Sequence, residues 1–244
     1  MPGTVSVSSR AGASSDHAPT FLRVALLVLR KDIAIEARSF EMVTTTLFFA
    51  VSCLLVFSFA FVKEGTPVPD AAAGILWIAV SFAGTLALGR TFERERHGET
   101  LRALLLAPTS RAAIYVGKLL GMLALMSVTE VVLVPMVALL FQAPLFSRPL
   151  LLLMLMFAGT VGFASVGTLF AAMLVRARTR DIMLPIMLYP MTIPVMIAGV
   201  QGTSALLQAP PNEAVATMWI TVVTAFDVVF VTGCLWLFDP LMAE

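Results

Sequence analysis

Charged residues are scarce in this sequence: they make up 13% of its 244 residues, whereas 59% of the residues are hydrophobic. A soluble domain of this length needs a polar face on its helices or strands, so this scarcity excludes a soluble fold. Only two cysteines are present, and both Cys53 and Cys234 lie inside apolar runs, which excludes a disulfide framework or a zinc-ribbon domain. The net charge of +1 gives no indication of nucleic-acid binding, and we expect no nucleic-acid partner.

Nucleotide-binding and catalytic motifs are also missing. The sequence contains no G-x-x-x-x-G-K-[ST], no H-E-x-x-H and no G-x-S-x-G; its nearest glycine–lysine pair, Gly117–Lys118, is followed by Leu119. The chain therefore has no P-loop with which to bind ATP. We predict that it is not an enzyme and that it holds no metal.

Apolar runs dominate what is present, and their lengths are near the roughly 20 residues that a helix needs to cross a bilayer. We predict an all-α integral membrane protein with six transmembrane helices, at residues 43–62, 71–88, 112–141, 150–175, 182–200 and 218–238. Residues 1–20 are polar and are expected to be disordered, and residues 21–244 form the membrane domain.

Basic residues are distributed unequally between the two sides of these spans. Of the sixteen Lys and Arg residues, fourteen precede the first span or follow the second or fourth span, and only Lys63 and Arg148 fall on the other side. The positive-inside rule then places the N-terminus, the second loop and the fourth loop in the cytoplasm. Six spans return the C-terminus to the same side.

Residues 21–38 precede the first span and are predicted to form an amphipathic helix that lies along the membrane surface. Its basic residues share one arc at helical spacing: Arg23, Arg30, Lys31 and Arg38. Asp32 and Glu36 lie off that arc, so the amphipathy is imperfect. A plain tether is the alternative interpretation.

Residues 90–111 form a dense charged segment between the second and third spans. Its polar start can form i,i+3 pairs such as Glu93–Arg96, and its leucines fall on one helical face before a proline ends the helix. A short helix of this kind is suited to docking in the groove of a partner protein. The alternative is an ordinary loop whose leucines enter the lipid headgroups. The candidate docking residues are Phe92, Glu93, Arg94, Glu95, Gly98, Leu101, Leu104, Leu105 and Pro108.

Two carboxylates, Glu130 and Asp227, fall deep inside apolar runs. A charge at the bilayer centre costs at least about 2.5–3.5 kcal/mol, so we expect both to face protein or water and to be protonated or hydrogen-bonded. They are candidates for a polar element of a translocation or gating path; the alternatives are hydrogen bonds that hold packed helices together or a dimer contact.

Proline and glycine mark further positions within the spans. Pro185, Pro190 and Pro194 are predicted to kink the fifth span. Gly117-x-x-x-Gly121 and the series Gly159, Gly162 and Gly167 predict close contacts between helices.

The charged segment and its surroundings resemble the CcmB family, the permease subunits of the cytochrome c maturation system. The resemblance extends from about Phe21 to the C-terminus and includes "LRVALLVLRKDIAIEAR" and the proline-rich "LPIMLYPMTIPVMIAGV". The residues that match the family's loop motif are Phe92, Glu93, Arg94, Glu95, Gly98, Leu101, Leu104, Pro108, Arg111, Tyr115, Gly117 and Lys118.

This resemblance implies an ABC-2-like permease subunit in the bacterial inner membrane. The charged segment would then be a coupling helix that contacts a separate ATPase, the CcmA-like subunit, which binds the ATP. Further partners would be CcmC-like and CcmD-like membrane subunits, the haem chaperone (CcmE-like), membrane lipid and a second copy of this chain.

The resemblance also makes haem the expected cargo of the complex, exported or released with its chaperone. Both histidines, His17 and His97, are predicted to be cytoplasmic, so an axial ligand for haem on the outer face would come from another subunit. No cofactor is expected in this chain itself. The alternatives are a generic ABC-2-type exporter of lipid, glycan or drug, a membrane-embedded enzyme, or a scaffold.

Overall fold

The computed structural model describes residues 21–63, 66–67, 71–97, 111–177 and 179–241. Six of the helices in these ranges are long and apolar enough to cross a membrane. The predicted all-α architecture with six spans is therefore confirmed. The helices are α1 (Phe21–Ser39), α2 (Glu41–Ala60), α3 (Ala72–His97), α4 (Arg111–Leu140), α5 (Pro149–Met173), α6 (Arg180–Leu207) and α7 (Glu213–Leu241).

Short elements connect these helices. Two-residue strands, Val62–Lys63 and Thr66–Pro67, pair antiparallel between α2 and α3. Single 3-10 turns, Leu145–Ser147 and Leu174–Arg176, precede and follow α5. Helices predominate because hydrocarbon offers no partner to a backbone N–H or C=O, so each span must pair these groups within itself.

A bend at Phe40 separates α1 from the first span, α2. Phe40 adopts a left-handed backbone conformation with φ of 51°, which ends α1. One turn earlier, the Glu36 carboxylate accepts a hydrogen bond from the backbone N–H of Val43 at 2.9 Å. This bond satisfies one of the N–H groups at the start of α2 that have no partner inside the helix.

The ends of α3 and α6 extend beyond the apolar runs of the sequence. The apolar part of α3 ends at Thr91, but the helix continues to His97 and so carries the start of the charged segment. Helix α6 begins at Arg180 and holds Pro185, Pro190 and Pro194 within one continuous element. The helix that leads to the charged segment is thus continuous with the second span.

Helices α3 and α5 form the centre of the bundle. In each of them, 67% of the most apolar stretch is buried inside the bundle, whereas in the other four spans the buried share of that stretch is between 22% and 33%. Helix α5 packs against α4, α6 and α7, and α3 packs against α2, α4 and α6.

Trp77 of α3 fills the junction between the two central helices and α6. Its side chain is 1% exposed, and its indole N–H donates a hydrogen bond to Thr203 Oγ1 at 2.9 Å. The ring lies against Gly159 of α5 and Gly199 of α6, where an added Cβ would overlap it. Three helices therefore approach closely around one aromatic ring because two of them present glycine to it.

Adding one methyl group at this junction tests its contribution to stability. In Gly159→Ala the new Cβ would overlap the Trp77 ring. We expect the free energy of unfolding to fall by about 1–3 kcal/mol, the usual cost of overpacking. Thermal unfolding of the detergent-purified chain, followed by circular dichroism, measures the change.

The matched control is Gly233→Ala in α7. An added Cβ there has no neighbour within 4 Å, so the melting temperature should stay the same or rise slightly, since alanine favours a helix over glycine. Equal melting temperatures for the two variants would contradict the tight packing at Trp77.

Candidate functional site

Arg180 ties the start of the fifth span to the end of the second. Although it directly follows the fourth loop, its side chain is buried, with 4% of the residue exposed. Its guanidinium donates to the backbone carbonyls of Leu88, at 3.1 Å, and Gly89. Both carbonyls lie in α3, two turns before its end at His97. Two charge-assisted hydrogen bonds in a site shielded from water therefore connect α3 to the start of α6.

A second buried cation, on α4, joins α1 to the third span. Lys118 Nζ lies 2.7 Å from Asp32 Oδ2, and the lysine side chain is only 4% exposed. One residue earlier, Gly117 faces α1 so closely that an added Cβ would lie 2.8 Å from the Ala25 carbonyl oxygen. Helix α1 is thus held against α4 by an ion pair and by a contact that only glycine allows.

The predicted docking residues lie beyond the part of the chain whose side chains are described. Phe92, Glu93, Arg94 and Glu95 fall on the last turns of α3, and only their backbone is described. The others lie outside the described residues altogether: Gly98, Leu101, Leu104, Leu105 and Pro108. Their role in docking stays a prediction from the sequence.

Glu130 lies on α4 in the bundle interior, 8% exposed, and meets Thr160 of α5. The Thr160 hydroxyl donates to Glu130 Oε1 and also lies 2.8 Å from the Met156 carbonyl oxygen. One hydroxyl hydrogen can serve only one of these two acceptors at a time. At this contact between the third and fourth spans, the Glu130 carboxyl group and the Met156 carbonyl oxygen therefore share one hydroxyl donor.

Asp227 lies on α7 and approaches the same helix, α5, at a second point. It is also 8% exposed, and an added Cβ at Gly162 would lie 2.6 Å from Asp227 Oδ1. Among the described residues, Asp227 Oδ1 has no hydrogen-bond partner. Since Thr160 and Gly162 are two positions apart on one helix, they face nearly opposite directions, and the two carboxylates flank α5.

Two further polar contacts tie helix α5 to its neighbours. The Tyr115 hydroxyl of α4 donates to the Ser165 carbonyl oxygen at 2.9 Å, and the Cys234 thiol of α7 lies 3.8 Å from the same oxygen. The Tyr115 ring also packs on Phe238 with ring centroids 5.2 Å apart. Polar groups from two spans therefore converge on one backbone carbonyl of a third.

The sequence does not indicate which groups pair with Arg180, Lys118 and Asp32. Arg180 and Lys118 contribute there to the excess of basic residues on one side, Lys118 also matches the family's loop motif, and Asp32 interrupts an amphipathic face. The position of Asp32, off the basic arc of α1, was the available indication of an ion pair. No comparable pattern marked Trp77, because its two glycine neighbours belong to distant segments.

No group of three His, Cys, Asp or Glu side chains is close enough to hold a metal ion within the described ranges. The fold and its interior define a class: a multi-pass helical membrane protein in which polar side chains link the spans.

A family model described as "CcmB protein" matches residues 23–237 of this chain. The chain therefore belongs to the CcmB family, whose members are membrane transporter subunits of cytochrome c maturation. It is similar to heme exporter protein B of Pseudomonas aeruginosa, with 26% identity over 200 residues, which cover 82% of this chain and 88% of the relative. The family match begins in α1 and extends into the last of the six spans.

A substitution at Glu130 tests whether its contact needs a carboxyl group or only a hydrogen-bonding group. Glu130→Gln should stay within about 1 kcal/mol of the native stability, because its amide can donate to Thr160 while Thr160 donates to Met156. Glu130→Ala should lose about 2–3 kcal/mol, since it leaves a cavity as well as a broken bond. Thermal unfolding in detergent measures both.

Thr160→Val is the matched change on the other helix. It keeps the side-chain shape and should cost about 0.6–1.7 kcal/mol, the range for hydrogen bonds between membrane helices. A Glu130→Gln protein that unfolds as easily as Glu130→Ala would show instead that the carboxyl group itself is required.

Proposed function

We propose that this chain is the permease subunit of an ABC-type complex in the bacterial inner membrane and that it converts ATP hydrolysis by a CcmA-like partner into movement of its spans. The family match over residues 23–237 carries this proposal. The lack of a P-loop in the sequence supports it, because the hydrolysis must then take place in another subunit.

The continuity of α3 supports the mechanical part of the proposal. The helix runs from within the bundle to His97. Its last residues, from Arg90 onward, are therefore the first part of the charged segment at residues 90–111. A partner that pushes on this segment moves a rigid lever, and the Arg180 bonds to α3 carry the movement into α6. The three prolines in α6 lower its resistance to bending, because each removes a hydrogen bond from the helix.

Haem, or the haem-loaded chaperone, is the cargo that we assign to the complex. The name of the Pseudomonas aeruginosa relative states heme export for that protein. The remaining partners in this proposal are CcmC-like and CcmD-like membrane subunits and a CcmE-like chaperone. Two copies of this chain supply the twelve spans of a complete exporter, and both chain termini lie in the cytoplasm.

Replacing two leucines of the charged segment tests the docking to the ATPase. Leu101→Asp with Leu104→Asp should abolish co-purification of the ATPase, because two charges replace the apolar face that would enter its groove. The control, Thr100→Asp with Thr109→Asp, adds the same charge to the same segment but keeps the leucines, and it should retain the ATPase. Loss of the ATPase in both variants, or in neither, would contradict docking through the leucines.

The same variants test whether haem is the cargo when they are expressed in a deletion strain of the native host. A haem stain for c-type cytochromes should be negative in the deletion strain and positive after the wild-type chain or the threonine variant is restored. The leucine variant should leave the stain negative. Persistent cytochromes c in the deletion strain would overturn the haem assignment in favour of a generic exporter of lipid, glycan or drug.

Arg180→Ala tests the transmission between α3 and α6. We expect this variant to keep the bound ATPase, since the charged segment is unchanged. Cytochrome c maturation should fall by roughly tenfold or more, because the free energy of one charged hydrogen bond corresponds to at least that factor. Arg30→Ala, which removes an exposed cation from α1, is the control and should keep full maturation. Normal maturation in Arg180→Ala would refute a role for this contact in coupling.

A further inference from the structure

A cavity of about 470 Å³ lies between α1, the start of α2, one side of α4 and Thr91 of α3. Glu130, Asp227 and Arg180 are not among its lining residues. Its walls are mostly apolar and include Ile33 and Phe40, which are 48% and 60% exposed. The cavity therefore opens at the outside of the bundle, on a face that the bilayer would cover.

The apolar part of the cavity is a groove that follows the axis of α4. Lys118, Gly121, Leu125 and Val128 all line it and share one face of the helix at spacings of three and four residues. Ten residues of helix correspond to about 15 Å. The groove thus starts near the basic end of the third span and reaches the middle of that span.

Charged groups of both signs surround only the basic end of the groove. Asp32 lies between two lysines, 3.2 Å from Lys31 and 2.7 Å from Lys118, and this triad carries one net positive charge. Glu36, one helical turn further along α1, adds one negative charge to the same rim. A cationic patch and an anionic group therefore lie side by side at the mouth.

We propose that this cavity binds one zwitterionic phospholipid, with a phosphate beside Lys31 and a primary amine beside Glu36, as in phosphatidylethanolamine. A phospholipid has the required shape: a headgroup of two opposite charges and an acyl chain that lies along α4 as far as Val128. The two lysines and two carboxylates of the rim carry no net charge together, so a headgroup without net charge matches the rim better than an anionic headgroup does. The bound lipid would fill the space between α1 and α4 and hold α1 at the membrane surface.

Native mass spectrometry of the full chain, released from detergent in an equimolar mixture of phosphatidylethanolamine and phosphatidylglycerol, tests the proposal. We expect one retained lipid per chain and a roughly tenfold preference for phosphatidylethanolamine, the effect of one additional charged contact. Equal retention of both lipids, retention of phosphatidylglycerol alone, or no retention would overturn the proposal. Displacement of the lipid by haem at equal concentration would also overturn it and would assign the cavity to the cargo.

Two pairs of variants place the lipid in this cavity. Lys31→Gln should reduce retention by roughly tenfold, whereas Arg30→Gln, an exposed neighbour outside the cavity, should leave it unchanged. Ala124→Trp places a ring across the groove and should abolish retention. Ala225→Trp, at an exposed position of α7, should not.

Retention that is insensitive to both Lys31→Gln and Ala124→Trp would show a lipid bound elsewhere on the surface. Since the lysine variant changes only a partly exposed side chain, it gives a result even if the tryptophan variant does not fold.

Discussion

The exclusion of water from the bilayer is the constraint on which the rest of this structure depends. A polar group within a span has no solvent partner, so its partner must come from the protein. In this chain the partners are repeatedly on another helix: the Trp77 indole binds Thr203 of α6, and the Tyr115 hydroxyl binds the Ser165 carbonyl of α5. Each bond fixes the rotation of two spans about their axes and their relative depth in the bilayer. Contacts between apolar side chains do this less well, because lipid tails can replace them.

The same constraint acts on the basic residues near the ends of the spans. Lys118 and Arg180 lie on the side that the positive-inside rule assigns to the cytoplasm, yet both are buried against other helices. Their partners, Asp32 and two carbonyls of α3, connect α1 to α4 and α3 to α6. The end of the bundle nearest the charged segment is thus cross-linked by charge-assisted bonds.

The sequence predicted features that depend on local composition and left open those that depend on helix pairing. Six spans follow from the lengths of the apolar runs, and the glycine at position 117 was correctly expected to allow a close contact. Its neighbour is α1, however, and the sequence contains no signal that would name it. The Trp77 site was missed for the same reason, because Gly159 and Gly199 become neighbours of the ring only after three distant segments have assembled.

Helix α5 contacts two acidic side chains, and it offers a hydrogen-bond donor to only one of them. On one side, Glu130 Oε1 has a donor within the bundle, the Thr160 hydroxyl, which also lies within reach of the Met156 carbonyl oxygen. On the other, Asp227 lies against Gly162, which has no side chain to offer a hydrogen bond, and among the described residues its Oδ1 has no partner. A buried oxygen without a donor costs stability. Packing alone would therefore favour an apolar residue at position 227, where the carboxylate oxygen faces a glycine, but not at position 130, where it faces a hydroxyl.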